Sequence, residues 1–494
     1  MKNVGQNGMP LKEIPKIREE CGIFGIYSQK IGTDVAAQAY LALFALQHRG
    51  QESCGIAVCD EGVIGYHRDL GLVPEVFTSE TLGKLGRGNM AIGHVRYSVE
   101  GRNKGHADVQ PLVVRHTKGA MAIAHNGSLT NAEEFRERLE LTGAIFHSTS
   151  DAEVISYMIT KARLSTDSIE SAVQEALKEI TGAYSLVVMS PKKLIAARDP
   201  KGFRPLCIGM SGNDYLVVSE SCALDCLGAT FLRDVEPGEI IVIDENGLRS
   251  VQAGTGKPSG LCVFEFIYFA RQDSVIEGMS VHEARRKAGE LLAKEHPVDA
   301  DVVIGVPESG IDAAMGYSHA ANIPHGMGFT KNRYVGRTFF QPTQQERERV
   351  VGIKLNAIAA TVKGKRVVMI DDSIVRGTTT GKIVKLVRDA GAAEVHVRIS
   401  APPFMHPCYF GTDIESRENL IACKMSQEEI CAYIGADSLG YLSTESVTKI
   451  EKESGCGFCT GCFTGKYPVP APSQIKRSKF EDKIYKTNAG NATL

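Results

Sequence analysis

The sequence predicts a protein in two unlike parts, a mixed α+β half followed by an α/β half built on a parallel sheet. Three observations carry this. Apolar stretches of strand length, punctuated by glycine and polar clusters, recur through the first 250 residues. Beyond residue 260 the pattern changes to strand, glycine turn, helix, the alternation that builds parallel sheets. Between the two lies Gln252 to Gly260 (QAGTGKPSG), rich in turn formers, where the domain boundary is expected.

In chain order, strands are expected at Cys21 to Tyr27, Gly55 to Cys59, Met121 to Ala124, Tyr184 to Met189 and Tyr215 to Val218. Thr33-Asp34 opens an apolar-periodic helix that runs to His48 and is stopped by Gly50. Ser150-Asp151-Ala152-Glu153 has the form of a capping box leading a second helix from Val154. In the second half, Val302 to Val306 precedes Pro307-Glu308-Ser309-Gly310, and Arg366 to Ile370 precedes Asp371 to Thr380. Ligands of such sheets sit at the carboxyl ends of the strands. The tail from about Pro468 is expected to be poorly ordered.

Composition narrows the function. The chain has 494 residues, enough for two or three domains, and its 43% apolar content excludes wholesale disorder. Lys plus Arg number 56 against 58 acids, a net charge of −2 that lacks the positive field of a nonspecific nucleic-acid binder. No apolar run approaches the roughly 18 residues of a spanning helix. Met1 to Glu20 is polar and ends in Arg18-Glu19-Glu20, unlike a secretory signal, so no membrane partner and a cytoplasmic location are expected. Thirteen cysteines in such a chain point to catalysis or metal rather than structural disulfides.

The most informative segment runs from Val367 to Thr380, VVMIDDSIVRGTTT. Four apolar residues form a buried strand, two acids end it, and a Gly-Thr turn opens a helix. Turn amides, hydroxyls and the positive end of a helix suit a phosphate monoester. Paired carboxylates beside it can hold ribose hydroxyls or the waters around Mg²⁺. A solvated turn is the competing reading. The segment resembles the phosphoribosylpyrophosphate (PRPP) signature of type I phosphoribosyltransferases. That resemblance implies that Asp371 and Asp372 act on the ribose and one Mg²⁺, with Ser309 near the metal. It also implies that Arg376, Gly377, Thr378, Thr379 and Thr380 cradle the 5-phosphate. The stretch Phe329 to Pro342 (FTKNRYVGRTFFQP), with Lys331, Arg333 and Arg337, would be a lid over pyrophosphate.

In the first half, Cys21 opens Cys21-Gly22-Ile23-Phe24-Gly25-Ile26. Downstream come Leu46-Gln47-His48-Arg49-Gly50-Gln51-Glu52-Ser53, Gly93-His94-Val95-Arg96-Tyr97-Ser98, His125-Asn126-Gly127-Ser128-Leu129 and Ser150-Asp151-Ala152-Glu153. In order and spacing these blocks resemble the glutaminase domain of the N-terminal-nucleophile (Ntn) amidotransferases, whose fold is an αββα sandwich. A thiol needs a base, and an α-amino group, which ordinarily titrates at about 7.7 to 8.0, can serve once the residue is N-terminal. The resemblance therefore implies cleavage after Glu20, with Cys21 as nucleophile. It assigns Asn126 (side chain) and Gly127 (amide) to the oxyanion, Arg96 to the glutamine α-carboxylate and Asp151 to its α-ammonium. Singly, Arg96 could be an ion-pair member, Asn126-Gly127 a hairpin turn and Asp151 a helix-terminus charge. Val99 departs from the threonine common in the family.

The two halves in this order resemble the glutamine-dependent PRPP amidotransferase family, which opens purine synthesis. The implied division is a propeptide at 1–20, a glutaminase domain at 21–252, a phosphoribosyltransferase domain at 262–455 and a C-terminal segment at 456–494. Ammonia released from glutamine would pass inside the protein to PRPP. Purine nucleotide inhibitors and a homotetramer are implied as well. Some members carry a [4Fe–4S] cluster, and Cys262, Cys408, Cys459 and Cys462 match its ligand positions. Four thiolates would staple the C-terminal segment to the sheet domain, with tetrahedral Zn²⁺ as the rival occupant. Cys456 has no assignable role, and Gln272 stands where the family usually has proline.

Overall fold

The computed structural model describes residues 21–97, 106–332, 355–412, 414, 416–450 and 455–472. The expected propeptide, Ser98, Val99, Arg333, Arg337 and the end of the C-terminal segment lie outside them.

Two antiparallel sheets form the first half. One has the spatial order Thr230–Asp234, Cys207–Ser211, Asp214–Val218, Gly22–Tyr27, Met90–Arg96, Ser53–Asp60, Val63–Leu70. The other runs Gly247–Gln252, Ile240–Asp244, Leu194–Arg198, Gly182–Met189, Gly119–Leu129, Leu112–His116. Ile23, Ala57, Ile92, Ala122, Ala124 and Val187 interdigitate between them. The central strands are apolar on both faces because each sheet is also covered outside. Helix Val35–Ala45 lies on the first sheet, and helices Ala132–Glu140, Asp151–Arg163 and Ile169–Glu179 lie on the second. The result is an αββα sandwich, as expected.

The sequence places these elements well and trims their ends. The first helix stops at Ala45 and continues as a 3₁₀ turn, Gln47–Arg49, rather than running to His48. Ser150 caps Asp151–Arg163, accepting from the Ala152 amide at 3.3 Å. The capping box is not completed, because Glu153 turns away to accept from the amides of His147 and Ser148. Asn126-Gly127 lies inside strand Gly119–Leu129, which removes the hairpin-turn reading.

The second half holds a parallel sheet ordered Val302–Gly305, Arg366–Asp371, Glu394–Ile399, Ser438–Tyr441. Helices Val281–Glu295 and Gly310–Ala321 cross closely, since a Cβ on Gly289 would stand 1.9 Å from the Ala313 carbonyl oxygen. Leu261–Cys262 pairs in parallel with Phe458–Cys459, so the C-terminal segment returns to the start of this half. Val469 packs beside Phe203 and Phe410, so ordered contacts continue past Pro468, where a loose tail was expected. No helix among the described residues is long and apolar enough to cross a membrane.

Candidate active sites

Cys21 stands immediately before strand Gly22–Tyr27, whose Gly22 pairs with Val95. The next position in that register is Arg96, at the end of its own strand. Ile23 pairs with His94, and His94 Nε2 lies 3.1 Å from the carbonyl oxygen of His125 on the facing sheet. One and two residues on are Asn126 and Gly127. The sandwich thus brings Cys21, Arg96, Asn126 and Gly127 to one end of its facing sheets.

Each side chain there has a local reason for its place. Asn126 is buried, and its Nδ2 has no partner among the described residues, a donor held in reserve. Gly127 has φ +136°, and a Cβ would stand 2.2 Å from the Ala183 carbonyl oxygen, so only glycine fits. Asp151 Oδ2 accepts from the Leu129 amide at 2.8 Å, which ties the helix start to the end of the Asn126 strand. Arg96 is partly exposed and lies 3.8 Å from Asp108, which is itself held by the Thr149 amide at 2.8 Å. His94 and His125 are fully enclosed; burial drives the His94 imidazole down to about 3 and lowers His125, keeping both neutral. The Cys21 carbonyl accepts from Arg49 Nε at 3.1 Å. Arg49 is wholly buried, a role that its place in the Leu46 to Ser53 block does not reveal.

At the second site, Asp371 ends its strand and Asp372 follows, both buried. Asp372 accepts from Ser309 Oγ at 2.5 Å and from the Ser373 hydroxyl. The Val306 amide bonds the Ile370 carbonyl at 2.8 Å, and a Cβ on Gly310 would press on the same oxygen, so the two βα turns close on each other. Gly377 adopts φ 77° and caps helix Thr378–Asp389, presenting the first-turn amides of Thr378, Thr379 and Thr380 beyond the strand end. Arg376 precedes that cap. Lys331 Nζ reaches Glu308 Oε1 at 3.4 Å, which brings the start of the expected lid to the Ser309 turn.

A third site is a cavity lined by Cys262, Cys408, Cys459 and Cys462 and walled by Phe203, Phe264, Phe404, Phe410 and Tyr467. Cys262 and Cys459 are register partners, and the Met405 and His406 amides both bond the Cys462 carbonyl at 3.0 Å. Burial raises the Cys459 thiol to about 12. Burial, with the other three cysteines adding to it, lifts Cys462 far above its usual range. Four thiols that line one cavity, with the ionisation of Cys459 and Cys462 opposed by burial, are a donor set for a cationic group.

Residues 94–226 match the glutamine amidotransferase domain family. Over 464 residues the chain is 47% identical to the amidophosphoribosyltransferase of Bacillus subtilis, covering 93% of this chain and 96% of that one. The chain belongs to the amidophosphoribosyltransferase family. The amidophosphoribosyltransferase of Methanocaldococcus jannaschii is 48% identical, covering 91% of this chain and 98% of that protein. In three dimensions the fold is similar to glutamine PRPP amidotransferase from B. subtilis complexed with ADP and GMP. The TM-score is 0.84 at 47% identity, over 91% of this chain and 97% of that one. A structure described as the allosteric regulatory enzyme of purine biosynthesis gives a TM-score of 0.87 at 45% identity, over 94% and 99%. The two-part architecture is therefore that of amidophosphoribosyltransferases, an Ntn glutaminase joined to a phosphoribosyltransferase sheet.

Proposed function

We propose that this chain converts PRPP, glutamine and water into 5-phosphoribosylamine, glutamate and pyrophosphate, with Cys21 as the glutamine nucleophile. The observation that carries the reading is that strand register brings Cys21 to the same end of the sandwich as Gly127 and Asn126, whose Nδ2 has no partner among the described residues. Freed by cleavage of 1–20, the Cys21 amine takes the thiol proton, and the thiolate attacks the glutamine side-chain amide. Asn126 Nδ2 and the Gly127 amide receive the oxyanion, Arg96 the α-carboxylate and Asp151 the α-ammonium. The Cys21 ammonium protonates the departing nitrogen, so ammonia leaves as the C–N bond breaks, and water cleaves the remaining γ-glutamyl thioester to glutamate and the free thiol.

At the second site the amides of Thr378 to Thr380, with Arg376 and Gly377, hold the 5-phosphate. Asp371 and Asp372 hold the ribose hydroxyls. Two buried carboxylates with the Ser309 hydroxyl are hard oxygen donors, few in number, and so fit a Mg²⁺ that also takes phosphate oxygens and water. When bound, Mg²⁺ supplies charge neutralisation for departing pyrophosphate. Lys331 approaches the same side. Ammonia attacks the ribose carbon as pyrophosphate departs.

The four-cysteine cavity fits a [4Fe–4S] cluster. Cys262, Cys408, Cys459 and Cys462 would hold the cluster as its four thiolate ligands, whereas a single Zn²⁺ would need the sulfurs gathered on one point. Among the described residues no trio of His, Cys, Asp and Glu is gathered to hold a single ion. The cluster would act as a cross-link between the C-terminal segment and the sheet domain. Purine nucleotide inhibitors, a homotetramer and a cytoplasmic location complete the proposal. The relative complexed with ADP and GMP supports the first of these.

The test is a coupled assay for glutamate and pyrophosphate on anaerobically purified protein, with glutamine or ammonium as nitrogen donor, together with intact-mass determination of the N-terminus. Cys21→Ala should lose the glutamine reaction and keep the ammonium reaction. A fully active chain that still begins at Met1 would refute the role of the Cys21 amine.

A further inference from the structure

Arg49 of the first half is wholly buried and forks onto Glu265 of the second. Its Nη1 and Nη2 donate to Glu265 Oε2 and Oε1 at 2.9 and 2.7 Å, while its Nε donates to the Cys21 carbonyl at 3.1 Å. Glu220, also buried, accepts from Nη1 at 2.5 Å. The guanidinium plane is thereby fixed by two carboxylates, and its remaining edge fixes the backbone of Cys21.

Glu265 itself is held rigidly. It opens a π-helical turn, Glu265–Phe269, whose carbonyls at Phe266 and Tyr268, with that of Ala270 just beyond it, accept from Arg285 of helix Val281–Glu295. Such turns leave carbonyls that need outside donors, and they recur at functional places. Arg204 joins the cluster, 3.4 Å from Glu265 Oε1 and 2.6 Å from the Phe410 carbonyl. Next to Phe410, Gly411 has φ +120°, and a Cβ there would lie 3.5 Å from Gly127 Cα. The second half therefore reaches the backbone of Cys21 through Arg49 and comes close to the backbone of Gly127 at Gly411.

We infer that Glu265, a residue of the phosphoribosyltransferase half, is a positioning residue for glutamine hydrolysis, acting through Arg49 on the backbone of Cys21. It does not touch glutamine. It sets where the α-amine and Sγ of Cys21 stand relative to Asn126 and Gly127, and a misplacement of about 1 Å can cost 10²-fold in rate. The inference rests on Cys21 being the nucleophile, as proposed above.

The experiment compares Glu265→Asp, which keeps the charge but is one methylene short, Glu265→Gln and Arg49→Lys. The first readout is the ratio of glutamine- to ammonium-dependent phosphoribosylamine formation. The second is the pH profile of iodoacetamide alkylation at Cys21, followed by mass spectrometry of its peptide. The expected result is a ratio at least tenfold lower in Glu265→Asp and a displaced alkylation profile. The Arg49→Lys/Glu265→Asp double variant should be no worse than its worse single, because the residues act as one unit. Glu265→Gln removes the buried carboxylate charge that Arg49 and Arg204 share, leaving Glu220 on Arg49; if it does not accumulate, Glu265→Asp decides. A wild-type ratio, or a lower ratio with an unmoved profile, overturns the inference. Cys21→Ala run in parallel separates the two readings: if it keeps glutamine turnover, the nucleophile assignment has failed rather than the positioning role.

Discussion

Ser309 Oγ donates to Asp372 Oδ2 at 2.5 Å and so joins two turns that are 63 residues apart in the chain. The bond orients one carboxylate of the acidic pair at the mouth of the parallel sheet. Asp372→Asn should remove most PRPP-dependent turnover and raise the Mg²⁺ concentration needed for half-maximal rate. Ser309→Ala should cost less, a few-fold in KM for PRPP, in line with about 1 kcal/mol for one hydrogen bond. Initial rates across a Mg²⁺ and PRPP grid check both.

Asn126→Ala should lower the glutamine-dependent kcat by about 10²- to 10³-fold, the usual cost of one oxyanion donor, with a much smaller change in KM for glutamine. Gly127→Ala should be at least as severe, because its Cβ would meet the Ala183 carbonyl oxygen at 2.2 Å in a backbone conformation that favours glycine. Steady-state glutaminase kinetics decide, and an Asn126→Ala enzyme within threefold of wild type would remove Asn126 from the oxyanion site.

Cys462→Ser should abolish stoichiometric iron and sulfide and lower the thermal midpoint, since the cross-link from the C-terminal segment to the sheet domain would lose one of its thiolates. Iron and sulfide analysis of anaerobic preparations, with visible spectra, gives the answer. One equivalent of zinc and no sulfide in the wild type would replace the cluster by the single ion.

Glu220 gives a pH-dependent prediction. Burial alone would raise its pKa, but the charges of His48 and Arg49 and the hydrogen bonds from His48 and Ser274 outweigh it and hold the carboxyl well below 4.5. A group depressed on folding stabilises fully above its unfolded pKa and loses that contribution as pH falls through the folded one. Glu220→Gln should therefore destabilise near pH 7 by about 1.5 to 3 kcal/mol, the loss of a charge-assisted hydrogen bond, because Arg49 keeps Glu265 as its buried counter-charge. The penalty should shrink progressively below about pH 4.5. Urea midpoints of both proteins from pH 7 to pH 3 test the slope.

Strand cores were legible because period and burial act locally: Tyr184–Met189 and Val367–Ile370 are apolar whatever lies around them. Ends were less so. Glu153 has the spacing of a capping partner, yet it serves His147 and Ser148, because its neighbours and not its sequence offset decide which amide is nearest. The acidic strand end at Asp371 was legible from its residue types, whereas Cys21, Asn126 and the four cysteines were singled out by the resemblance of their blocks to a known family.

Arg49 and Glu265 show the limit. Each could be read as an ordinary charged residue, 216 positions apart, and no local pattern joins them. The order of residues was enough for the two kinds of sheet, since hydrophobic period and short-range spacing are properties of the chain, and it supplied the candidates at Cys21, Asp371 and the four cysteines. Which buried charge neutralises which was settled by the folded arrangement alone. A desolvated arginine must find carboxylates wherever folding brings them, and here they come from both halves of the molecule.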